Sequence, residues 1–235
     1  MNFPIILDEE NIEFPLLDNL DNDGLVAISA NVKPEYVLRA YKRGIFPWYG
    51  ELDPVLWWSP NPRCVIIPNK VRITKSMRSI LKKNELTFFI NRSFNKVIKA
   101  CSKPRTYETS TWLLPEMIET YNALHKQGFA HSVETYLNDK LVGGFYGLSI
   151  GSYFAGESMF SKSSNTSKAA LIVFCKYCEE VGIPFIDCQI PNPHLGRMGA
   201  EKMKRSLFLD LLQKSINQEL PANIWKSKQL VYSFD

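Results

Sequence analysis

A strand, a polar turn and a helix follow one another in the stretch Phe154-Ala-Gly-Glu-Ser-Met-Phe-Ser-Lys-Ser-Ser-Asn-Thr-Ser-Lys-Ala-Ala-Leu-Ile-Val-Phe174. The apolar helix pattern continues to about Val181. Three side chains of the turn are suitable helix caps, namely Asn165, Thr166 and Ser167. The turn therefore surrounds a small space with a carboxylate, hydroxyls and free helix N–H groups, which favours an anionic or ester-bearing ligand.

The segments around this stretch predict a mostly antiparallel sheet with one late strand–helix–strand crossover, from Tyr153 to Gln189. The predicted helices are 33–43, 74–83, 93–101, 113–126 and 206–218, and the predicted strands are 64–67, 86–91, 130–137, 140–150, 153–155 and 184–189. A tight turn at Asn138-Asp139 joins two of the strands. This order predicts an α+β (mixed α/β) fold rather than a doubly wound sheet.

Aromatic residues are concentrated in two loops rich in Gly and Pro, 44–50 and 55–63, which contain Trp48, Trp57 and Trp58. Since large aromatics are costly to expose, they either staple two domains together or form a stacking platform for a ring or base. We expect a domain boundary near residues 62–68. The expected division is a small N-terminal domain, 1–62, and a larger domain, 63–235.

Composition excludes several classes of protein. With 235 residues, 45% of them hydrophobic, the chain can bury a large core. It has no run of about 18 apolar residues, and its first residues lack the basic region of a signal peptide, so we expect a cytoplasmic protein that does not enter a membrane. Neither the dinucleotide-binding glycine pattern nor a P-loop is present.

The five cysteines, at 64, 101, 175, 178 and 188, lie in apolar or helical segments. Free buried thiols are the favoured interpretation. Cys175 and Cys178 form a C-x-x-C inside the predicted helix rather than at its N-terminus, where a redox motif would gain thiolate character. The three histidines are scattered, so we expect no metal site and no cofactor.

Charge is distributed unevenly. Residues 1–32 carry seven acids and no Lys or Arg, whereas residues 70–105 carry one acid, Glu85, and eleven bases. These bases are Lys70, Arg72, Lys75, Arg78, Lys82, Lys83, Arg92, Lys96, Lys99, Lys103 and Arg105. The excess indicates a polyanionic partner such as a nucleic acid, and the alternative is a solvated helix face.

Two strand patterns carry unusual residues. Gly143, Gly144 and Gly147 interrupt one predicted strand, which indicates a bulge or the close approach of a ligand backbone. Asp187 and Gln189 are two apart on another, so we expect both on one face, where they can converge with Glu157. The alternative is that Asp187 caps a helix or pairs with a lysine, and spacing alone favours this structural role.

Several motifs together resemble the leucyl/phenylalanyl-tRNA–protein transferases. They are Gly44-Ile-Phe-Pro-Trp48, Trp57-Trp-Ser-Pro60, Gly143-Gly-Phe-Tyr-Gly147, Gly156-Glu-Ser-Met-Phe-Ser161, Ser167-Lys-Ala-Ala-Leu171 and Ile186-Asp-Cys-Gln189 with Asn192 and His194. The resemblance covers residue 24 to the C-terminus. It implies transfer of Leu or Phe from tRNA to the N-terminal amine of proteins beginning with Arg or Lys, which marks them for degradation. It also implies a small N-terminal domain on a C-terminal domain of acetyltransferase-like (GNAT-like) fold. A hydrophobic pocket would also accept Met, and we expect a monomer.

The resemblance implies roles for individual residues. Asp187, Gln189 and Glu157 would assist the attacking amine. Trp48 and Trp112 would stack on the terminal adenine. The remaining substrate contacts would come from Phe145, Phe154, Phe174, Ser158 and Asn192, and the tRNA contacts from Lys70, Arg72, Lys75, Arg78, Lys82 and Lys83.

The chain departs from the family pattern at three places: Arg197-Met-Gly-Ala200, Met203-Lys-Arg205 and Phe145. These departures affect the shape of the amino-acid pocket and one rim of the site. Two other functions share part of the pattern. An acyl-CoA-dependent N-acyltransferase would share the fold, and a non-catalytic RNA-binding module would share the basic region.

Overall fold

The computed structural model describes residues 4–8, 10, 12–18, 20–103 and 113–234. A first, four-stranded sheet is built from the N-terminal part of the chain, in the order β1-β2-β4-β3. Its elements are β1 (Ile5–Ile6), β2 (Leu25–Ser29), helix α1 (Pro34–Tyr41), β3 (Phe46–Pro47) and β4 (Val55–Trp58). None of these short strands was predicted; α1 was.

The remaining strands form an eight-stranded sheet in the order β11-β5-β10-β9-β8-β7-β6-β12. Its strands are β5 (Arg63–Ile66), β6 (Leu86–Ile90), β7 (Ala130–Leu137), β8 (Lys140–Ile150), β9 (Tyr153–Ser161), β10 (Ile186–Gln189), β11 (Glu201–Met203) and β12 (Lys228–Leu230). The helices are α2 (Lys75–Lys82), α3 (Phe94–Cys101), α4 (Pro115–Lys126), α5 (Thr166–Val181), α6 (Pro193–Arg197) and α7 (Arg205–Ile216), with a 3-10 turn at Pro68–Lys70.

Helix α5 is the connection of the predicted crossover. It joins β9 to β10, which pair in parallel, whereas every other neighbouring pair in the described part of this sheet is antiparallel. The mixed α/β class is therefore confirmed. The strand before the crossover is longer than predicted, because Gly156 to Ser161 continues to pair with β8 although its sequence reads as a turn.

Alternation along β8 divides the core between the two faces of the large sheet. Phe145 packs in one cluster with α5, while the next residue, Tyr146, packs in the other with α3, α4 and the N-terminal sheet. Trp57 is fully buried in this second cluster, contacts Phe14 at 5.0 Å between ring centroids, and donates to Ser29. The N-terminal sheet thus packs on the face opposite α5.

The cap of α5 differs from the prediction. Asn165 precedes the helix in a left-handed conformation and its side chain makes no cap hydrogen bond. The hydroxyl of Ser161, at the end of β9, instead accepts a bond of 3.1 Å from the N–H of Ser167. Because a residue of the preceding strand caps the helix, the helix N-terminus is held against the strand end rather than left open.

The predicted bulge in the glycine-rich strand is confirmed, but a ligand backbone is not what approaches it. A Cβ on Gly143 would lie 2.3 Å from the Thr166 hydroxyl, and one on Gly147 would lie 2.3 Å from both the Ala155 carbonyl oxygen and the Phe154 ring. The chain's own strand and helix fill this space. These glycines therefore permit close packing of β8 against β9 and α5.

A buried arginine at the start of α7 connects the N-terminal segment to the part of the chain that carries the large sheet. Arg205 donates to the carbonyl oxygens of Leu20, Asp21 and Ser59. Its backbone N–H donates to Asn61 at 3.0 Å. No helix in the described ranges is long and apolar enough to cross a membrane.

Candidate active site

A cleft of about 920 Å³ opens where β9 and β10 separate. The two strands pair only at Phe154 with Ile186 and at Ala155 with Asp187. Beyond these pairs β9 follows β8, and β10 follows β5. The gap is lined by the diverging strand ends, the end of α3, the start of α5 and α6. An irregular part of the sheet thus provides a concave site.

Each strand carries a bulge where it enters the cleft. On β9, Gly156 pairs with Gly147 and Ser158 with Tyr146, so Glu157 is the extra residue. On β10 the register shifts between Asp187 and Gln189, and Gln189 has a φ of 62°. Bulges redirect side chains relative to the regular alternation. Here they turn Glu157 and Gln189 toward each other.

Glu157 and Gln189 are joined in a hydrogen-bonded group with two tyrosines. The Gln189 Nε2 donates to both carboxylate oxygens of Glu157, at 3.2 and 3.3 Å. Tyr41, from α1, donates to Glu157 at 2.7 Å, and its oxygen lies 3.1 Å from that of Tyr121 on α4. Both tyrosines are fully buried. The carboxylate thus receives donors from both parts of the chain.

Burial raises the pKa of Glu157 to about 7, although the hydrogen bonds from Tyr41, Tyr121 and Gln189 favour the carboxylate and offset part of this shift. The carboxyl group consequently changes its charge near neutral pH. A carboxyl with this pKa in a cleft is a typical feature of a functional site.

Asp187 lies on the other side of the bulge and is fully buried. Its carboxylate accepts two bonds from Arg63, at 2.8 and 2.7 Å, and one from the Tyr153 hydroxyl at 2.5 Å. It also accepts the backbone N–H of Gln189 at 2.9 Å. Arg63 in turn lies over the rings of Phe46 and Phe208 and donates to the Gly44 carbonyl.

This arrangement corrects the expectation that Asp187 and Gln189 share one face. Of the two, only Gln189 is among the described residues that line the cleft, because the bulge between them interrupts the alternation. The alternative prediction, that Asp187 pairs with a lysine, agrees better with the structure, although the partner is Arg63. Asp187 contacts Gln189 through its main chain, so it fixes the backbone from which the amide projects.

The floor of the cleft is apolar. Phe145, Leu171, Ile186 and Leu195 line it. The two other phenylalanines expected there, Phe154 and Phe174, are fully buried. Their ring centroids lie 6.4 and 5.4 Å from that of Phe145, so they form a second layer that supports the floor.

Two predicted polar contacts line the cleft, Ser158 and Asn192. Asn192 also caps α6, since its side chain accepts the N–H of Leu195 at 2.9 Å. Four cationic or titratable side chains lie among the other lining residues: Lys103, Lys162, His194 and Arg197. The cleft therefore combines one acid with a basic rim.

Neither of the two predicted stacking residues is among the described residues that line the cleft. Trp48 is 46% exposed and meets Trp58 edge-to-face at 6.2 Å, while the Trp58 ring N–H donates to its carbonyl. It is not among the described residues that line the cleft. Trp112 lies outside the described residues.

The six predicted tRNA-binding residues are all exposed. Four of them, Lys75, Arg78, Lys82 and Lys83, share one shallow surface on α2. Lys70 pairs with Glu201 at 3.2 Å. The backbone N–H of Arg72 donates to the carbonyl of Met198, which follows the cleft residue Arg197. This bond brings the basic segment to the α6 end of the cleft.

None of the five cysteines forms a disulfide; Cys64, Cys175 and Cys178 are buried, and Cys101 and Cys188 are partly exposed. Across the described ranges, no cluster of three or more His, Cys, Asp or Glu residues could hold a metal ion.

Sequence reasoning missed Tyr41, Arg63, Tyr121 and Tyr153, the side chains that surround the two carboxylates. Each is distant in sequence from its partner; Arg63 and Asp187 are 124 positions apart. Arg63 could have been suspected as an arginine that opens an apolar predicted strand, since a buried guanidinium needs a carboxylate. The tyrosines gave no signal beyond ordinary helix and strand periodicity.

Comparisons with known proteins agree on one family. The profile for leucyl/phenylalanyl-tRNA protein transferase matches residues 65–213, and that for the N-terminal domain of the same transferase matches residues 30–61. Three curated proteins called leucyl/phenylalanyl-tRNA–protein transferase are similar along most of the chain. The identity is 42% for Shewanella halifaxensis, covering 89% of each chain. It is 43% for Psychromonas ingrahamii, covering 90% of this chain and 89% of the relative. It is 42% for Hahella chejuensis, covering 93% and 94%.

Among solved structures, the chain matches L-PGS from Bacillus licheniformis with a TM-score of 0.38 at 11% identity, over 72% of this chain and 54% of that one. A similarity of this size supports no conclusion.

Proposed function

The chain belongs to the leucyl/phenylalanyl-tRNA–protein transferase family, and we propose that the cleft between β9 and β10 is where it moves Leu or Phe from tRNA to a protein. The observation that carries this proposal is the Glu157–Gln189 hydrogen-bonded pair beside an apolar floor. The pair suits an amine, and the floor suits an apolar side chain. A basic rim suits the phosphates of the tRNA end.

The reaction needs little chemical activation. The aminoacyl ester is already reactive, and an α-amine with a pKa near 7.7 is roughly a fifth unprotonated at neutral pH. The amine nitrogen attacks the ester carbonyl, the bond to the ribose oxygen breaks, and that oxygen gains the proton that the amine loses. The enzyme's main contribution is therefore positioning, which can be worth several orders of magnitude.

Gln189 orients the amine. Its Nε2 donates to Glu157, so the Oε1 carbonyl is the end that can accept a hydrogen bond from an amine in the cleft. The Glu157 carboxylate holds this orientation and also attracts the cationic acceptor. Asp187 acts as a positioning residue, because it holds the Gln189 backbone and is itself held by Arg63.

The acceptors are proteins with N-terminal Arg or Lys, which the transfer marks for degradation by the N-degron pathway. A carboxylate in the cleft supports this choice, since it complements the acceptor's positive charge. Met joins Leu and Phe as a transferred residue. Ser158, Asn192 and the rings at 145, 154 and 174 shape the pocket, and Trp48 and Trp112 stack on the terminal adenine.

The apolar floor predicts a selectivity that can be measured. With 3′-aminoacyl-adenosines as donors, Leu, Phe and Met should be transferred about 10-fold to 200-fold faster than Val or Ile, because an apolar pocket discriminates small shape differences by about 1–3 kcal/mol. Using the same short adenosine donor removes differences between tRNA bodies. Equal kcat/KM for Leu and Val would contradict this assignment of the floor.

The basic segment predicts how binding depends on salt. Replacing Lys75, Arg78 and Lys82 together by alanine should weaken tRNA binding at low salt and reduce the slope of log K against log salt by about two to three. A matched control removes three exposed lysines elsewhere: Lys140, Lys214 and Lys226. Filter binding of Leu-tRNA over a salt series gives both slopes. If the wild-type affinity for tRNA did not change with salt, or if the two variants gave equal slopes, this surface would not be the tRNA-binding site.

We further propose that residues 1–62 and 63–235 are separate domains, and that the larger one has a GNAT-like fold. The parallel β9–α5–β10 unit, whose strands separate to form the cleft, supports this assignment.

The enzyme acts as a monomer, since the cleft is completed within one chain. It acts in the cytoplasm, where its aminoacyl-tRNA substrate is found.

One assay distinguishes the alternatives. The protein is mixed with radiolabelled Leu-tRNA or with acyl-CoA, and with a peptide that begins with Arg. Label from Leu-tRNA should enter the peptide. Label from acyl-CoA alone would indicate an N-acyltransferase, and binding of tRNA without any transfer would indicate an RNA-binding module.

A further inference from the structure

Two thiols lie next to each other at the wall of the cleft, on neighbouring strands. Cys64 is on β5 and Cys188 on β10, where Cys188 is the extra residue of the bulge: Asp187 pairs with Val65, and Gln189 pairs with Cys64. The Cys188 Sγ donates to the Ile186 carbonyl oxygen at 3.8 Å, and the bulge places Cys188 and Gln189 together opposite Cys64. The Cα partner of Cys64 is Gln189, about 4.5–5.5 Å away in such a pair, and Cys188 is its neighbour in the chain; a disulfide spans about 4.4–6.8 Å between Cα atoms.

The two sulfurs differ in exposure. Cys64 is 2% exposed, whereas Cys188 is partly exposed and lines the cleft. The neighbouring Cys188 thiol lowers the pKa of Cys64, and the neighbouring Cys64 together with burial raises the pKa of Cys188, so Cys64 is the more acidic of the two thiols. A small oxidant that enters the cleft therefore reaches Cys188 first, while Cys64 lies on the neighbouring strand opposite the same bulge.

We propose that Cys64 and Cys188 form an oxidation site, at which hydrogen peroxide closes a disulfide between β5 and β10 and switches off transfer. The activity part of this inference rests on the proposed function, whereas disulfide formation does not. No other part of the mechanism uses either thiol.

The reaction is balanced by peroxide alone. The Cys188 thiol sulfur attacks one peroxide oxygen and the O–O bond breaks; the other oxygen takes the Cys188 thiol proton and leaves as water, which gives a sulfenic acid on Cys188. The Cys64 sulfur then attacks the Cys188 sulfur, the S–O bond breaks, and a second water leaves. Two thiols lose two electrons in total, and one peroxide is reduced to two waters.

A disulfide at this place would disturb the reaction because of its neighbours. Cys188 is flanked by Asp187, which holds the Gln189 backbone, and by Gln189 itself. Drawing the Cys188 sulfur to bonding distance of Cys64 requires the bulge to shift. Since displacement of a positioning group by about 1 Å can cost about 100-fold in rate, we expect a loss of at least about tenfold.

The experiment treats the full-length protein with increasing hydrogen peroxide and follows three quantities. Thiols are counted in denaturant, the linkage is mapped by mass spectrometry of non-reduced peptides, and Leu transfer is measured before and after dithiothreitol. From the five cysteines of the chain, the thiol count should fall to three as a peptide containing Cys64 becomes linked to one containing Cys188. Transfer should fall in parallel and return on reduction.

Two variants sharpen the test. Cys64→Ala keeps the backbone pair with Gln189 and should retain all its thiols and most of its activity at the same peroxide doses. Cys178→Ala removes a fully buried thiol of α5, and it should be inactivated like the wild type. Inactivation of Cys64→Ala at the wild-type dose would overturn the proposal, as would a wild-type thiol count that stays at five or a linkage between other cysteines.

The wild-type linkage needs neither a variant nor a transfer assay. Its absence contradicts this proposal alone, whereas absence of transfer before oxidation contradicts the proposed function alone.

Discussion

Replacing Gln189 by alanine should lower kcat for Leu transfer about 100-fold at saturating peptide, with little change in the fold. The amide projects into the cleft, and its loss removes the acceptor that orients the amine, an effect of the size expected for a misplaced reactant. Alanine, like glutamine, carries a Cβ, so the substitution leaves the cost of the φ of 62° at this position unchanged. We therefore expect the bulge to be preserved. The measurement is single-turnover transfer from labelled Leu-tRNA to an Arg peptide.

A matched control is Gln229→Ala, which removes an exposed amide on β12, far along the sheet from β10. It should transfer Leu at the wild-type rate. If Gln189→Ala retained kcat within about threefold of wild type, which is roughly half a kcal/mol of barrier, Gln189 would not orient the amine.

Replacing Arg63 by methionine should lower the free energy of unfolding by about 3–5 kcal/mol, because it leaves the buried Asp187 carboxylate without its cation. Transfer should fall as well, since Asp187 then no longer holds the Gln189 backbone in place. The double variant Arg63→Met with Asp187→Asn removes both charges, and we expect it to recover part of the lost stability. Urea unfolding measures all three.

The control for this prediction is Lys176→Met, which breaks an exposed ion pair with Glu179 and should change stability by less than about 1 kcal/mol. Equal losses for Arg63→Met and Lys176→Met would show that the buried pair is not a stabilising contact. Full transfer by Asp187→Asn at saturating peptide would remove Asp187 from the mechanism.

Local pattern was sufficient for every α-helix except α6 and for six of the eight described strands of the large sheet; β11 and β12 were missed. Helix α5 was predicted to end at Val181, as it does, and the turn at Asn138-Asp139 has positive φ at both residues, as a two-residue hairpin requires. In the N-terminal sheet, β1 and β3 have only two residues each, which is too few for a period to be visible. Strand β4 was assigned to an aromatic loop because a Pro-rich turn follows its two tryptophans, and β2 was also missed.

The site itself was only partly predictable. The residues Glu157, Asp187 and Gln189 stood out by type and spacing, but their roles depend on two bulges, which reverse the facing that regular alternation predicts. Arg63 and Tyr41 come from segments distant in the sequence, so no local pattern could place them beside the carboxylates. Family resemblance named the residues, and the geometry separates the amide in the cleft from the buried acid that supports it.

The central claim is that the Glu157 carboxylate holds Gln189 in the orientation that receives the amine. A protonated Glu157 would itself be a donor and would no longer fix the Gln189 amide. Since the pKa of this carboxyl is raised to about 7, the active form is lost as pH falls below neutral. The unprotonated, nucleophilic form of the peptide amine, whose pKa is near 7.7, also decreases as pH falls over this range.

The most direct test is the pH dependence of kcat/KM for the peptide between about pH 5.5 and 6.5, in the wild type and in Glu157→Gln. Two groups that must both be deprotonated give a slope of about two in log kcat/KM against pH, and one group gives about one. The account predicts a slope near two for the wild type and near one for Glu157→Gln, with a lower rate throughout. A wild-type slope near one, unchanged by the substitution, would contradict it.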